Sequence, residues 1–231
     1  MIRGLSTVAV AVVLASALGG CSLLPGSSAA PAASGGAAPT AAPLAPGVYT
    51  TKAFKPATTY TVPAGWTNPA DSVAYMNLMP QGDDSNGIHL FHNPAAMSQA
   101  ADCPTAAEPG VGSSSLELIA WIKARPGFVV STPAMVTVGG VPGTSIDVGI
   151  SGTWTQSCPF ANGIPTVPLF YGKESQLRWV VAGAERLRLM FIDVPGNGTV
   201  VVDLDSFDGA GMASLITKAA PIVKSLSFAA S

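Results

Sequence analysis

Apolar and polar positions divide the chain into three stretches. Residues 5–18 form one apolar run, residues 22–46 carry almost no large side chain and no charge, and from Val48 onward short apolar runs alternate with Gly, Pro, Asn and Asp clusters. In the third stretch Thr59-Tyr60-Thr61-Val62-Pro63 predicts a strand stopped by proline, followed by a turn at Ala64-Gly65-Trp66 that plants an aromatic side chain. Residues 72–79 and 87–92 predict two strands joined through Gln81-Gly82-Asp83-Asp84-Ser85-Asn86, a hairpin with a longer loop. Residues 94–112 are irregular, with one helical turn near Met97.

A helix follows. Ser114 with Glu117 three places on makes a capping box, Leu118, Ile119 and Ile122 form an apolar stripe with Trp121 at its margin, and Pro126-Gly127 stops it. Short strands are expected over 128–131 and 135–138, with a turn over 139–143. The next strand alternates, Ile146, Val148 and Ile150 on one face against Ser145, Asp147 and Gly149. Residues 177–181, 186–194 and 199–205 predict three consecutive antiparallel strands, because their connections are too short for parallel crossovers. The chain closes on a helix with Met212, Leu215, Ile216, Ala219, Ile222, Val223 and Leu226 on one face, which Pro221 is expected to kink or to end. The fold class this implies is α+β, an antiparallel sheet with helices packed on it, the terminal helix covering an apolar face.

The first stretch has the layout of a secretory signal: a cation at Arg3, an apolar run, then small residues. The run is shorter than the ~20 residues that cross a bilayer. Its end, Leu18-Gly19-Gly20-Cys21, resembles a bacterial lipobox, in which the cysteine is acylated and becomes the first residue of the mature chain. The competing reading is an ordinary signal peptide cut elsewhere. Two or more acyl chains anchor stably, since each buried methylene contributes about 0.8 kcal/mol. The expected plan is a signal peptide over 1–20, a disordered Ala/Pro/Gly/Ser stalk over 21–47, and one globular domain over 48–231 on the extracytoplasmic face of the cell membrane, with the lipid bilayer as partner through Cys21.

Composition narrows the partners. The 231 residues are 48% apolar and 10% charged, enough for a sizeable core. Loss of the segment holding Arg3 leaves ten of the eleven Lys and Arg against thirteen acids, a net charge of −3 with no basic cluster. Nucleic acid is therefore not an expected partner. With Cys21 taken by lipid, Cys103 and Cys158 remain, and in an exported chain a disulfide is the default. Each precedes a proline, which places both in extended or turn segments. No C-x-x-C motif supports a redox role.

His89 and His92, the two histidines, lie three apart on a strand and so point to opposite faces, which fits no shared metal. Asp203, Asp205 and Asp208 do not match the spacing of a calcium loop, and Asp208 reads as a helix N-terminal residue. No G-x-S-x-G is present, and Gly139-Gly140 lacks the lysine and following helix of a phosphate loop. Paired carboxylates leave no sequence signature, and no motif supports them. Of Trp66, Trp121, Trp154 and Trp179, Trp154 in the loop before Cys158 is the candidate binding aromatic. No catalytic residue, metal or cofactor is expected.

Val62-Pro63-Ala64-Gly65-Trp66, Val138-Gly139-Gly140-Val141-Pro142-Gly143 and the closing segment from Ala219 through Pro221-Ile222-Val223-Lys224-Ser225-Leu226-Ser227-Phe228 resemble the PsbP/Mog1-like fold, an α/β/α sandwich. The likeness is to actinobacterial cell-envelope lipoproteins of the LpqN type, and the segment over 103–158 departs from their pattern. The resemblance implies a non-enzymatic adaptor or binding domain for a protein or envelope component. The alternatives are a small-molecule or lipid-binding accessory to transport, and an envelope hydrolase.

Overall fold

Alternation of side chains builds a sheet that is apolar on both faces. In β5 (Asn86–His92) Ile88 and Leu90 face one way while His89 and Phe91 face the other; in β13 (Gly198–Ser206) Val200, Val202 and Leu204 oppose Val201, Asp203 and Asp205. A strand buried on both faces belongs in the centre of a three-layer domain. The computed structural model describes residues 41–174 and 177–230.

The other strands are β1 (Gly47–Thr50), β2 (Thr58–Val62), β3 (Trp66–Asp71), β4 (Tyr75–Pro80), β6 (Ala95–Ala96), β7 (Phe128–Val130), β8 (Ala134–Val138), β9 (Val141–Ile150), β10 (Thr166–Gly172), β11 (Leu177–Ala182), β12 (Arg186–Val194) and β14 (Ser227–Phe228). The helices are α1 (Ser115–Lys123) and α2 (Met212–Ser225). The central sheet runs β3-β4-β5-β13-β12-β9-β7, with β8 also on β9, and its pairs are antiparallel. One face packs against α2 and the sheet β1-β2-β14, through Leu215, Ala219, Ile222 and Leu226. The opposite face packs against α1 and the sheet β11-β10-β6, through Leu118, Ile122, Val167 and Phe170. The expected α+β class, with helices on both sides of an antiparallel sheet, is what the chain adopts.

Five local expectations change. Trp66 opens β3 rather than ending a turn, because Gly65 at φ 85° completes the reversal first. Met97 makes an isolated bridge to Ala107, not a helical turn. Residues 166–172 form a strand that the sequence pattern does not announce, with a register irregularity between Pro168 and Phe170 where proline interrupts the ladder. Of the three strands expected to be consecutive antiparallel neighbours, β12 and β13 do pair, but β11 does not join them: β9 and β13 occupy both edges of β12, so β11 pairs with β10 in another layer. The terminal helix continues through Pro221; Pro221 and Thr217, whose carbonyl loses its donor, are both exposed, so the lost hydrogen bond falls on the solvent side of the helix and not in the core. Contacts also begin ahead of Val48, with Pro43 bridged to Thr67 and the Leu44 N–H donating to the Trp66 carbonyl at 2.7 Å.

Candidate functional site: a buried acid cluster and the disulfide cleft

The apolar face beneath β10 and β11 holds a polar island. Asp203 and Asp205 are two apart on β13 and share that face; His89 of β5 stands opposite Asp203, and Asn77 of β4 opposite His89. The same row continues on β12 as Leu189 and on β9 as Ile146, so the island has an apolar border. Glu185 enters from the turn linking β11 to β12; its Oε2 accepts the Ala182 N–H at 2.6 Å and its carboxyl meets that of Asp205. Asp203, Glu185, His89 and Asp205 are 0%, 4%, 6% and 8% exposed, which leaves their charged forms without water.

Aromatic side chains close the island. The Tyr75 hydroxyl and His89 Nδ1 are 2.8 Å apart, and the Trp179 ring on β11 lies 4.7 Å from His89 and 5.3 Å from Phe91 between centroids. Gly87 makes room for the imidazole, since a Cβ there would sit 2.9 Å from His89 Nε2. Among the described residues neither oxygen of Asp203 has a hydrogen-bond partner, nor has Asp205 Oδ1 or the Trp179 indole N–H.

Burial dominates the electrostatics. It holds His89 as neutral imidazole, its pKa lowered to about 3. Burial, then the neighbouring Asp205, pushes Glu185 up to about 9; burial raises Asp205 to about 7 against the opposing hydrogen bond to Glu185. Asp203 is held well above the carboxylate range by burial and then by the charges of Asp205 and Glu185. Burial, with the nearby Asp203 and Asp205, also raises the Tyr75 phenol. Acids held protonated beside a neutral imidazole have the protonation states of general acid–base chemistry. A substrate, however, must reach them. Among the described residues no three His, Cys, Asp or Glu side chains converge on a metal geometry.

The larger clefts lie elsewhere. One of about 500 Å³ runs along β7, β9 and β12, between Val129, Ser131, Gly149, Arg186 and Met212. Another, about 470 Å³, borders the Cys103–Cys158 disulfide, whose Cα atoms are 5.6 Å apart. Trp154 lines this second cleft beside Gln99, Arg125 and Gln156. It is half-buried, not fully exposed: its indole N–H donates to the Thr166 carbonyl at 2.9 Å, and its ring packs where a Cβ on Gly127 would come within 3.0 Å.

The remaining candidates fall apart in space. His89 and His92 face opposite sides of β5, His92 Nε2 lying 2.8 Å from the Asn197 carbonyl. Asp208 separates from Asp203 and Asp205, its Oδ1 accepting the N–H groups of Ala210 and Gly211 just before α2. Cys21 lies outside the described residues. The island itself was missed, though its signal was present: Val200-Val201-Val202-Asp203-Leu204-Asp205 places acids at alternate positions in a run otherwise apolar on both faces.

No family model matches the chain, and no curated protein matches it. Several solved structures resemble it. One is a protein of Bacteroides thetaiotaomicron VPI-5482, at 8% identity and TM-score 0.37, with 75% of this chain and 45% of that one covered. Another is cyanobacterial PsbP from Synechocystis sp. PCC 6803, at 6% identity and TM-score 0.41, with 80% of this chain and 94% of that one covered. The chain thus spans less than half of the Bacteroides protein. At such scores no function follows from the likeness, and the α+β assignment rests on the strand order and the two core layers.

Proposed function

We propose that this chain is an exported lipoprotein, tethered through acylated Cys21, whose domain binds a protein or an envelope component without catalysing a reaction. A PsbP/Mog1-like, LpqN-type adaptor is the family reading that fits the turn motifs around Gly65 and Gly140. The observation that carries the proposal is the separation of reactive groups from access. The cluster of Asp203, Asp205, Glu185 and His89 lies inside a core layer, whereas the two larger clefts are lined by mixed, mostly uncharged side chains. The disulfide supports an oxidising compartment.

Two measurements test it. Wild type should fractionate with membranes and Cys21→Ala should appear in the medium; membrane retention of Cys21→Ala would remove the tether. Purified protein should show no turnover above background on a broad panel of esters and glycosides. Turnover abolished by Asp203→Asn would make the chain an enzyme and the acid cluster its centre.

A further inference from the structure

The acid cluster sits where two layers join. Glu185 belongs to the short turn through which the chain leaves the small sheet at β11 and enters the central sheet at β12, and its carboxyl meets Asp205 of β13. Ionised carboxylates accept hydrogen bonds and donate none, so a carboxyl–carboxyl hydrogen bond requires a proton between them. Asp203 is fully buried with both oxygens unpartnered among the described residues, and a charge in that state is far costlier than the neutral acid. Trp179 completes the join, packing from β11 onto His89, Phe91 and Tyr75 of the central sheet.

Among the described residues, the charged groups around the cluster are directed elsewhere. From β5 comes neutral His89, from β4 Tyr75 with its hydroxyl on that histidine, and from β12 Leu187 and Leu189. On β11 Arg178 turns outward over the Phe160 ring at 3.8 Å. Arg186 donates to the carbonyls of Ala184 and Glu185, Arg188 pairs with Asp147 on the exposed side, and Lys173 beyond β10 is exposed. Tyr171 of β10 packs with the disulfide cluster instead.

We propose that Asp203, Asp205 and Glu185 form a proton-loaded latch that holds the small sheet β11-β10-β6 onto the central sheet, closed in acid and loosened as the medium becomes alkaline. The closed state keeps protons that the acids release on meeting water. Acid therefore favours closure by mass action, and alkali favours opening. The device is independent of the binding role proposed above, and it makes exposure of the face under β11 depend on external pH.

Hydrogen exchange of the intact chain between pH 6 and 9, corrected for the intrinsic rate, tests it. Protection of amides in β11 should fall about tenfold per pH unit for each proton released on opening, while that of β4 and β5 falls less. The triple variant Asp203→Asn, Asp205→Asn, Glu185→Gln should show constant protection. Carboxyl ¹³C resonances in wild type should titrate for this trio well above ordinary carboxylates, a readout that does not need the variant to fold. Constant protection of β11 in wild type, an unchanged pH dependence in a folded triple variant, or three carboxyls titrating near pH 4 would each overturn the latch.

Discussion

His89 and the three acids pull stability in opposite directions with pH. The imidazole is depressed to about 3 from 6.5, so its contribution is whole above pH 6.5 and is lost as pH falls toward 3. Asp193, which accepts from Ser115 and Thr199, is lowered and adds to the loss in acid. Asp205, Glu185 and Asp203 are raised, so theirs is whole below the ordinary carboxylate range and is lost as pH rises through about 7 for Asp205 and about 9 for Glu185. Between pH 5 and 6.5 unfolding binds one proton at His89 and releases up to three from the acids, so the acids dominate. The expected outcome is maximal stability on the acid side, near pH 4–5 by these directions, with decline toward pH 9 in urea titrations. Asp203→Asn should remove one proton from that slope, about 1.4 kcal/mol per pH unit, and raise the midpoint at pH 8.

At the scale of elements, local signals succeeded where local physics decides. The capping box of α1 is present as read, the Ser114 side chain accepting from the Glu117 N–H and the Glu117 carboxylate accepting from the Ser114 N–H. The carboxylate of Asp193 on β12 accepts from the Ser115 N–H at 3.1 Å, placing an anion at the positive end of the helix and fastening it to the sheet. Ser114→Ala should therefore cost about 1 kcal/mol, seen as a lower denaturant midpoint with an unchanged slope. The hairpins β4-β5 and β12-β13 were also legible, because each connection is a polar, Gly-containing loop of a few residues between apolar runs. The partner of β11 was not. Its turn into β12 is equally short, but both edges of β12 were claimed by strands whose registers match along most of its length.

For the whole molecule, the Cys103–Cys158 bridge fastens two irregular excursions beside β6 and β10, closing a separation of 55 residues. Chain entropy puts its contribution on the order of 4 kcal/mol. Reduction of the native protein should lower its thermal midpoint, and a Cys103→Ser, Cys158→Ser variant should show the same loss without reductant. An equal midpoint with and without reductant would mean that the bridge is not closed in solution. The bridge also sits under the cleft that holds Trp154, so the double variant should loosen that cleft before the central sheet.

The sequence by itself determined the elements whose signals lie within a few residues: the capped helix, the amphipathic terminal helix, the alternating strands and the pairing of the two cysteines left to the domain. It also carried the segment before Cys21 and the acids at 203 and 205 as visible anomalies. Only the tertiary structure decided which layer β11 joins and whether those acids meet water. Both questions turn on residues far apart in the chain: Glu185 faces Asp205, Asp203 lies opposite His89, and Tyr75 reaches His89 from another strand. A carboxyl at an alternating position reads as solvent-facing until a second sheet covers it, and no local pattern announces that cover.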